Sequence, residues 1–161
     1  MDRPDLAAGV VGALTARQQT LASAESLTGG LIGAALTAVP GASLAYRGGV
    51  VAYATDVKHR LAGVPEDVLH ANGPVSEATA LALATGVRDI VGADWAVAAT
   101  GVAGPDPQDG HAPGEVWLGL ARPDGTAHAV RYWFDGDRGA VRDATVGAAL
   151  QLLADALDLT K

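Results

Sequence analysis

The amino-acid sequence predicts an α/β protein, a single three-layer α/β/α sandwich around a mixed sheet. Stretches with apolar residues at helical spacing alternate with short runs that are apolar throughout, the pattern of strands covered on both faces. Two later strands flank Pro123-Asp124-Gly125, a hairpin signal that adds antiparallel pairing to the sheet. The chain has 161 residues, 49% of them apolar, and no linker long enough to divide it. At this size roughly 70% of the unfolded surface is buried on folding, enough for one full core. Residues 1–161 are therefore read as one domain.

The elements follow in order. Residues 4–18 predict a helix with Leu6, Val10, Val11 and Leu14 on one face. Residues 20–25 read as a short buried strand. Thr28 to about Val39 predicts a helix on Leu31, Ile32, Ala35 and Leu36, stopped by Pro40-Gly41. Residues 44–54 predict a strand in which Gly48-Gly49 marks a bulge or a close backbone approach. Residues 55–71 form one or two short helices, broken around Gly63 and Pro65. Ser76 caps a long helix to about Val91, with Glu77 set against its N-terminal dipole and Gly92 ending it. Residues 95–100 are a buried strand, and 101–114 the longest loop. Residues 115–121 and 127–134 make the hairpin. A last helix, capped by Asp137, runs from about Asp137 to Leu157, with Val141, Ala144, Ala148, Leu152 and Ala156 inward.

Composition narrows the chemistry. Eleven basic against eighteen acidic residues give a net charge of −7, a surface that repels polyphosphate, so no nucleic-acid partner is expected. No apolar run approaches the roughly 20 residues that span a bilayer, so no membrane partner is expected. The opening MDRPDLAAG lacks a signal-peptide pattern, which predicts a cytoplasmic protein. Cysteine is absent, excluding a thiol nucleophile, disulfides and cysteine metal sites. The four histidines form no ligand pair, and Asp106 and Asp109 lack the spacing of a cation loop, so neither metal nor cofactor is expected. Nine of the eleven basic residues are arginine. Lys58 and the terminal Lys161 are the two lysines, and an internal lysine among arginines suits a task that requires losing a proton.

Four constellations can carry chemistry. In Ala24-Glu25-Ser26-Leu27-Thr28-Gly29-Gly30 a strand turns into a helix, so Ser26 stands where backbone N–H groups can receive an oxyanion or a phosphate. The same position suits Ser26 or Thr28 as a plain helix cap. Tyr53 and Lys58 follow the second strand; a buried lysine with a lowered pKa can take a serine's proton, and a tyrosine can relay it. A solvated lysine and a packed tyrosine fit the spacing too. Thr100-Gly101-Val102-Ala103-Gly104-Pro105 is a second strand end with a glycine turn, either a simple turn or the other wall of a crevice at the carboxyl edge of the sheet. Arg138 and Arg142, four residues apart on the last helix, either grip a phosphate together or pair with Asp135 and Asp143. No GxSxG, GxxxxGK[ST] or GxGxxG is present, which disfavours hydrolase-elbow, P-loop and dehydrogenase readings.

Seven blocks in fixed order resemble one family. AESLTGG (24–30), RGGVVAYATDVK (47–58), LAGV (61–64), NGPVSE (72–77), ATGVAGPD (99–106), PGEVW (113–117) and FDGDRGAVR (134–142) are similar to the C-terminal domain of the competence–damage-inducible protein CinA, over about residues 5–157. That domain also occurs alone as nicotinamide-nucleotide amidase. The resemblance implies hydrolysis of the carboxamide of nicotinamide mononucleotide to nicotinate mononucleotide and ammonia. It implies Ser26 as nucleophile, with Tyr53 and Lys58 beside it, and a nucleotide site at Thr100–Pro105 and Arg138. The loop departs from the family, which carries a basic residue before its PVG, where this chain reads His111-Ala112-Pro113-Gly114.

The expectation is thus a serine amidohydrolase acting on a pyridine mononucleotide. Ser26 attacks, Lys58 is the base, Tyr53 assists, and turn amides near Gly29 and Gly30 hold the oxyanion. Thr28, Gly29, Gly30, Thr100, Gly101, Gly104, Arg138 and Arg142 are expected at the substrate. The rival readings are a noncatalytic nucleotide-binding module and an amidohydrolase for another amide. A homo-oligomer, a dimer first, is expected from the apolar composition and the resemblance.

Overall fold

A computed structural model describes residues 1–160; Lys161 lies outside the described residues. These residues form six α-helices, a short 3-10 turn and a five-stranded sheet. The order along the chain is α1 (Arg3–Ala16), β1 (Leu21–Glu25), α2 (Leu31–Thr37), β2 (Tyr46–Val51), α3 (Thr55–Ala62), α4 (Glu66–Asn72), α5 (Glu77–Val91), β3 (Trp95–Gly101), β4 (Glu115–Ala121), β5 (Ala127–Trp133) and α6 (Arg138–Ala156). The sheet order is β2-β1-β3-β4-β5. β1 pairs parallel with both β2 and β3, and β4 runs antiparallel to β3 and β5, so the sheet is mixed as expected.

The three layers follow from alternation along the strands. On β3, Trp95, Val97 and Ala99 enter one core with α1, α2 and α6, while Ala96 and Ala98 enter a second with α5. The second core is built mostly from alanine and valine, with Leu83 its one fully buried leucine among the described residues, because α5 lies close against the sheet. A Cβ added at Gly119 would collide with the Ala80 carbonyl of α5. The first connection leaves β1 toward β2 and the next returns across β1 to β3. Right-handed crossovers in opposite directions put α2 and α5 on opposite faces and leave a switch point between the ends of β1 and β3.

Several expected boundaries move. The strand expected at 44–54 covers Tyr46–Val51, and its register shifts opposite Leu21 and Ala22, so the expected bulge is present one residue ahead of Gly48. A Cβ at Gly49 would also meet the Ser23 carbonyl, so the close approach is real. The helix expected from Thr28 begins at Leu31, because Gly29 (φ +57°) and Gly30 (φ +106°) hold a left-handed turn that no helix continues. On α6 the buried face is Val141, Thr145, Val146, Ala149, Leu150, Leu153 and Ala154, rather than the row through Ala144, Ala148, Leu152 and Ala156. That row packs partly buried along the flank, since α6 is apolar over more than one stripe. Ser76 caps α5 through the Thr79 N–H, and Asp137 caps α6 through the Ala140 N–H, as expected. No helix of the described residues is long and apolar enough to cross a membrane.

Candidate active site

At the switch point a cavity of about 390 Å³ opens between the ends of β1 and β3. Ser26, Leu27, Tyr53, Gly101–Gln108 and Arg138 line it. This size suits a small ligand. Ser26 comes directly after β1 and is 7% exposed. Lys58 comes from α3, and its side chain runs inward to end at the serine.

The Lys58 Nζ donates to Ser26 Oγ at 3.0 Å, to the Ala52 carbonyl at 2.9 Å and to the Tyr53 carbonyl at 3.3 Å. Lys58 is 2% exposed, and no carboxylate among the described residues pairs with it. Burial without a counter-ion pushes its pKa down from 10.5 to about 8. When the amine is neutral, its two remaining contacts to carbonyls use N–H bonds and its lone pair faces Ser26. The geometry is that of a base held against a hydroxyl.

The other expected residues divide. Tyr53 stands 59% exposed at the rim, and its hydroxyl accepts from Arg138 Nη2 at 2.8 Å; only its backbone carbonyl reaches Lys58. Arg138 also donates from Nη1 to the Gly104 carbonyl at 2.7 Å, so the first residue of α6 is tied across the cavity. Gly101 and Gly104 line the cavity as expected. Thr100 is buried, and its hydroxyl donates to the Pro74 carbonyl at 2.5 Å, fastening the 72–77 segment over the end of β3.

Arg142 does not join Arg138. It turns beneath the loop that follows Ser26 and donates from Nε to the Leu27 carbonyl at 2.9 Å and from Nη2 to the Thr28 carbonyl at 3.4 Å. Two arginines one turn apart share a helix face only roughly, and here the carbonyls of the Ser26 turn capture the second. Thr28 is fully buried, and its hydroxyl has no partner among the described residues.

The expected oxyanion donors are also committed elsewhere. The Gly29 N–H donates to the Ser26 carbonyl at 3.0 Å. The Gly30 N–H donates to Glu25 Oε1 at 3.2 Å, joined by those of Ile32 to Oε1 at 2.8 Å and Gly33 to Oε2 at 3.0 Å. Glu25, buried at 3% exposure, thus caps α2 with its carboxylate and removes the helix end as an anion site. Sequence reasoning read Glu25 only as part of a block. An acidic residue six positions ahead of a helix start was the available signal. The cavity residues Leu27 and Gln108 were likewise not singled out, and Asp106 was weighed only as a cation ligand.

The comparisons with known proteins agree with this architecture. A family model described as the CinA C-terminal domain matches residues 3–157. A CinA-like protein of Frankia casuarinae is 52% identical over 145 residues, covering 89% of this chain and 33% of that protein. A putative competence-damage inducible protein of Lactiplantibacillus plantarum is 40% identical over 157 residues, covering 98% and 37%. The chain therefore spans about a third of the length of the curated relatives it matches. The crystal structure of the competence damage-inducible protein A of Klebsiella pneumoniae superposes with a TM-score of 0.94 at 34% identity, over 100% of both chains. That of an Agrobacterium tumefaciens competence/damage inducible protein gives 0.92 at 36% identity, over 98% of this chain and 96% of that one. By the family match and by these relatives, the chain belongs to the CinA C-terminal domain family.

Proposed function

We propose that the protein is an amidohydrolase that converts the carboxamide of nicotinamide mononucleotide to a carboxylate. The single observation that carries the reading is the 3.0 Å contact between Ser26 Oγ and a buried Lys58 whose pKa is lowered to about 8. A merely structural lysine has no need of a desolvated amine against a cavity-lining hydroxyl.

In the first half-reaction Lys58 Nζ takes the Ser26 hydroxyl proton as Oγ bonds to the carboxamide carbon. The carbonyl π electrons move onto oxygen. When they return, the C–N bond breaks, and the departing nitrogen takes the proton from Lys58 and leaves as ammonia. In the second half-reaction a water gives its proton to Lys58, and its oxygen attacks the acyl ester. Collapse breaks the C–Oγ bond, and Ser26 recovers its proton from Lys58. One amide and one water thus give one carboxylic acid and one ammonia. Arg138 at the rim supplies the positive charge for the substrate phosphate, and Tyr53 holds that guanidinium in place.

Ammonia release from nicotinamide mononucleotide by the purified chain tests the reading. Stoichiometric ammonia and nicotinate mononucleotide are expected. Binding without turnover would leave a nucleotide-binding module, and turnover of other amides alone would move the substrate. A dimer belongs to the same proposal, and a monomeric mass by light scattering would overturn it.

A further inference from the structure

We propose that the N–H groups of Leu27 and Thr28 form the oxyanion site and that Arg142 is the positioning residue that aims them. The proposal rests on the amidase reading above and assigns its missing electrostatic part.

A complete accounting of the turn leads there. From Ser26 to Gly33 every N–H has an acceptor except two. Ser26 donates to the Ala99 carbonyl, Gly29 to Ser26, Leu31 to Thr28, and Gly30, Ile32 and Gly33 to the Glu25 carboxylate. The N–H groups of Leu27 and Thr28 have none among the described residues, although the two residues are 3% and 0% exposed. A buried donor left without an acceptor costs about 1–3 kcal/mol, so two adjacent ones call for a reason. They immediately follow Ser26, and Leu27 lines the cavity. Donors at that place serve where charge develops on the attacked carbonyl.

Their directions are held from behind. A peptide unit is planar and trans, so fixing its carbonyl fixes the opposite direction for its N–H. The Ser26 carbonyl, in one unit with the Leu27 N–H, accepts from Gly29 at 3.0 Å. The Leu27 carbonyl, in one unit with the Thr28 N–H, accepts from Arg142 Nε at 2.9 Å. The same guanidinium reaches the Thr28 carbonyl at 3.4 Å, so one planar fork spans two successive units. A cation at the carbonyl end also polarises the unit and strengthens its N–H as a donor. Arg142 is not among the cavity-lining residues and therefore acts through the turn rather than on substrate.

The test compares the full chain with its Arg142→Met and Arg142→Lys variants, each first shown to be folded by thermal unfolding. With nicotinamide mononucleotide, kcat of Arg142→Met should fall about 10²-fold or more, as for loss of one oxyanion donor. KM, and inhibition by nicotinate mononucleotide, should stay within about threefold. Arg142→Lys keeps the charge but offers no two-pronged fork and should fall between. A raised KM with kcat retained would overturn the proposal and return Arg142 to phosphate binding. A second readout is independent of the substrate. A fluorophosphonate that labels Ser26 places its phosphoryl oxygen in the same site, so labelling should slow at least about tenfold in Arg142→Met and be absent in Ser26→Ala. A wild-type labelling rate in either folded Arg142 variant overturns the oxyanion assignment. Arg142-dependent labelling without amide turnover would instead overturn only the choice of substrate.

Discussion

Arg138 donates to the Tyr53 hydroxyl at 2.8 Å, and this bond joins the first turn of α6 to the segment that follows β2 across the mouth of the cavity. The tyrosine is therefore a support for the cation at the rim. Tyr53→Phe should raise KM several-fold with kcat kept within a few-fold, because Arg138 retains the Gly104 carbonyl but loses its second anchor. Steady-state kinetics on the one variant check this. A collapse of kcat together with a shifted pH profile would return the tyrosine to proton relay.

The lysine sets the pH dependence. With a pKa near 8, Lys58 is protonated over the acidic range and cannot accept the serine's proton there. The proposed kcat/KM should rise about tenfold per pH unit below 8 and level off above it. A profile flat between about pH 6.5 and 8.5 would remove Lys58 as the base.

The same shift acts on stability. The native lysine loses its proton near 8, and the unfolded one near 10.5. Between those values the unfolded chain holds more protons, so stability rises with pH across that window; below pH 8 the full cost of the buried charge remains. That cost is about 3 kcal/mol. Lys58→Met should flatten the rise, as followed by denaturant unfolding at pH 8 and at about 10.

Ser26→Ala and Lys58→Arg divide catalysis from binding. Either change should lower ammonia release by orders of magnitude, while mononucleotide affinity stays within a few-fold by calorimetry. Arginine keeps the charge but cannot give up its proton in this range. Substantial turnover in Lys58→Arg would leave the serine without its base.

Thr28→Val replaces a buried hydroxyl that has no partner among the described residues with a methyl group of similar shape. Stability should stay within about 1 kcal/mol or rise, and turnover should stay within a few-fold. Loss of mononucleotide binding in this variant would place the hydroxyl at the substrate after all.

Gly119→Ala tests the packing that positions the layers. The added Cβ collides with the Ala80 carbonyl on α5, so the helix must move off β4. A loss of about 1–3 kcal/mol in denaturant unfolding is expected. An unchanged midpoint would mean that α5 has room to yield.

Much of this protein was legible in its residue order. Local rules were sufficient for the hairpin around Pro123-Asp124-Gly125, for Ser76 and Asp137 as helix caps, and for the strands buried on both faces. Each depends on neighbours within a few residues, and the hydrophobic period reports burial directly. Ser26, Lys58, Tyr53 and Arg138 were identified by residue type, by position at strand and helix ends and by the order of the seven blocks, and the fold brings Ser26, Tyr53 and Arg138 to one cavity with Lys58 held against Ser26. Their partners were another matter. Whether Arg142 faces a phosphate or a carbonyl, and whether the Gly30 N–H is free or taken by Glu25, depends on which groups the packed layers bring within 3 Å. Hydrogen bonds of that kind run between residues up to 115 positions apart and follow from how α6 seats against the end of β1. Local spacing names the candidates, but only tertiary packing decides which donor meets which acceptor.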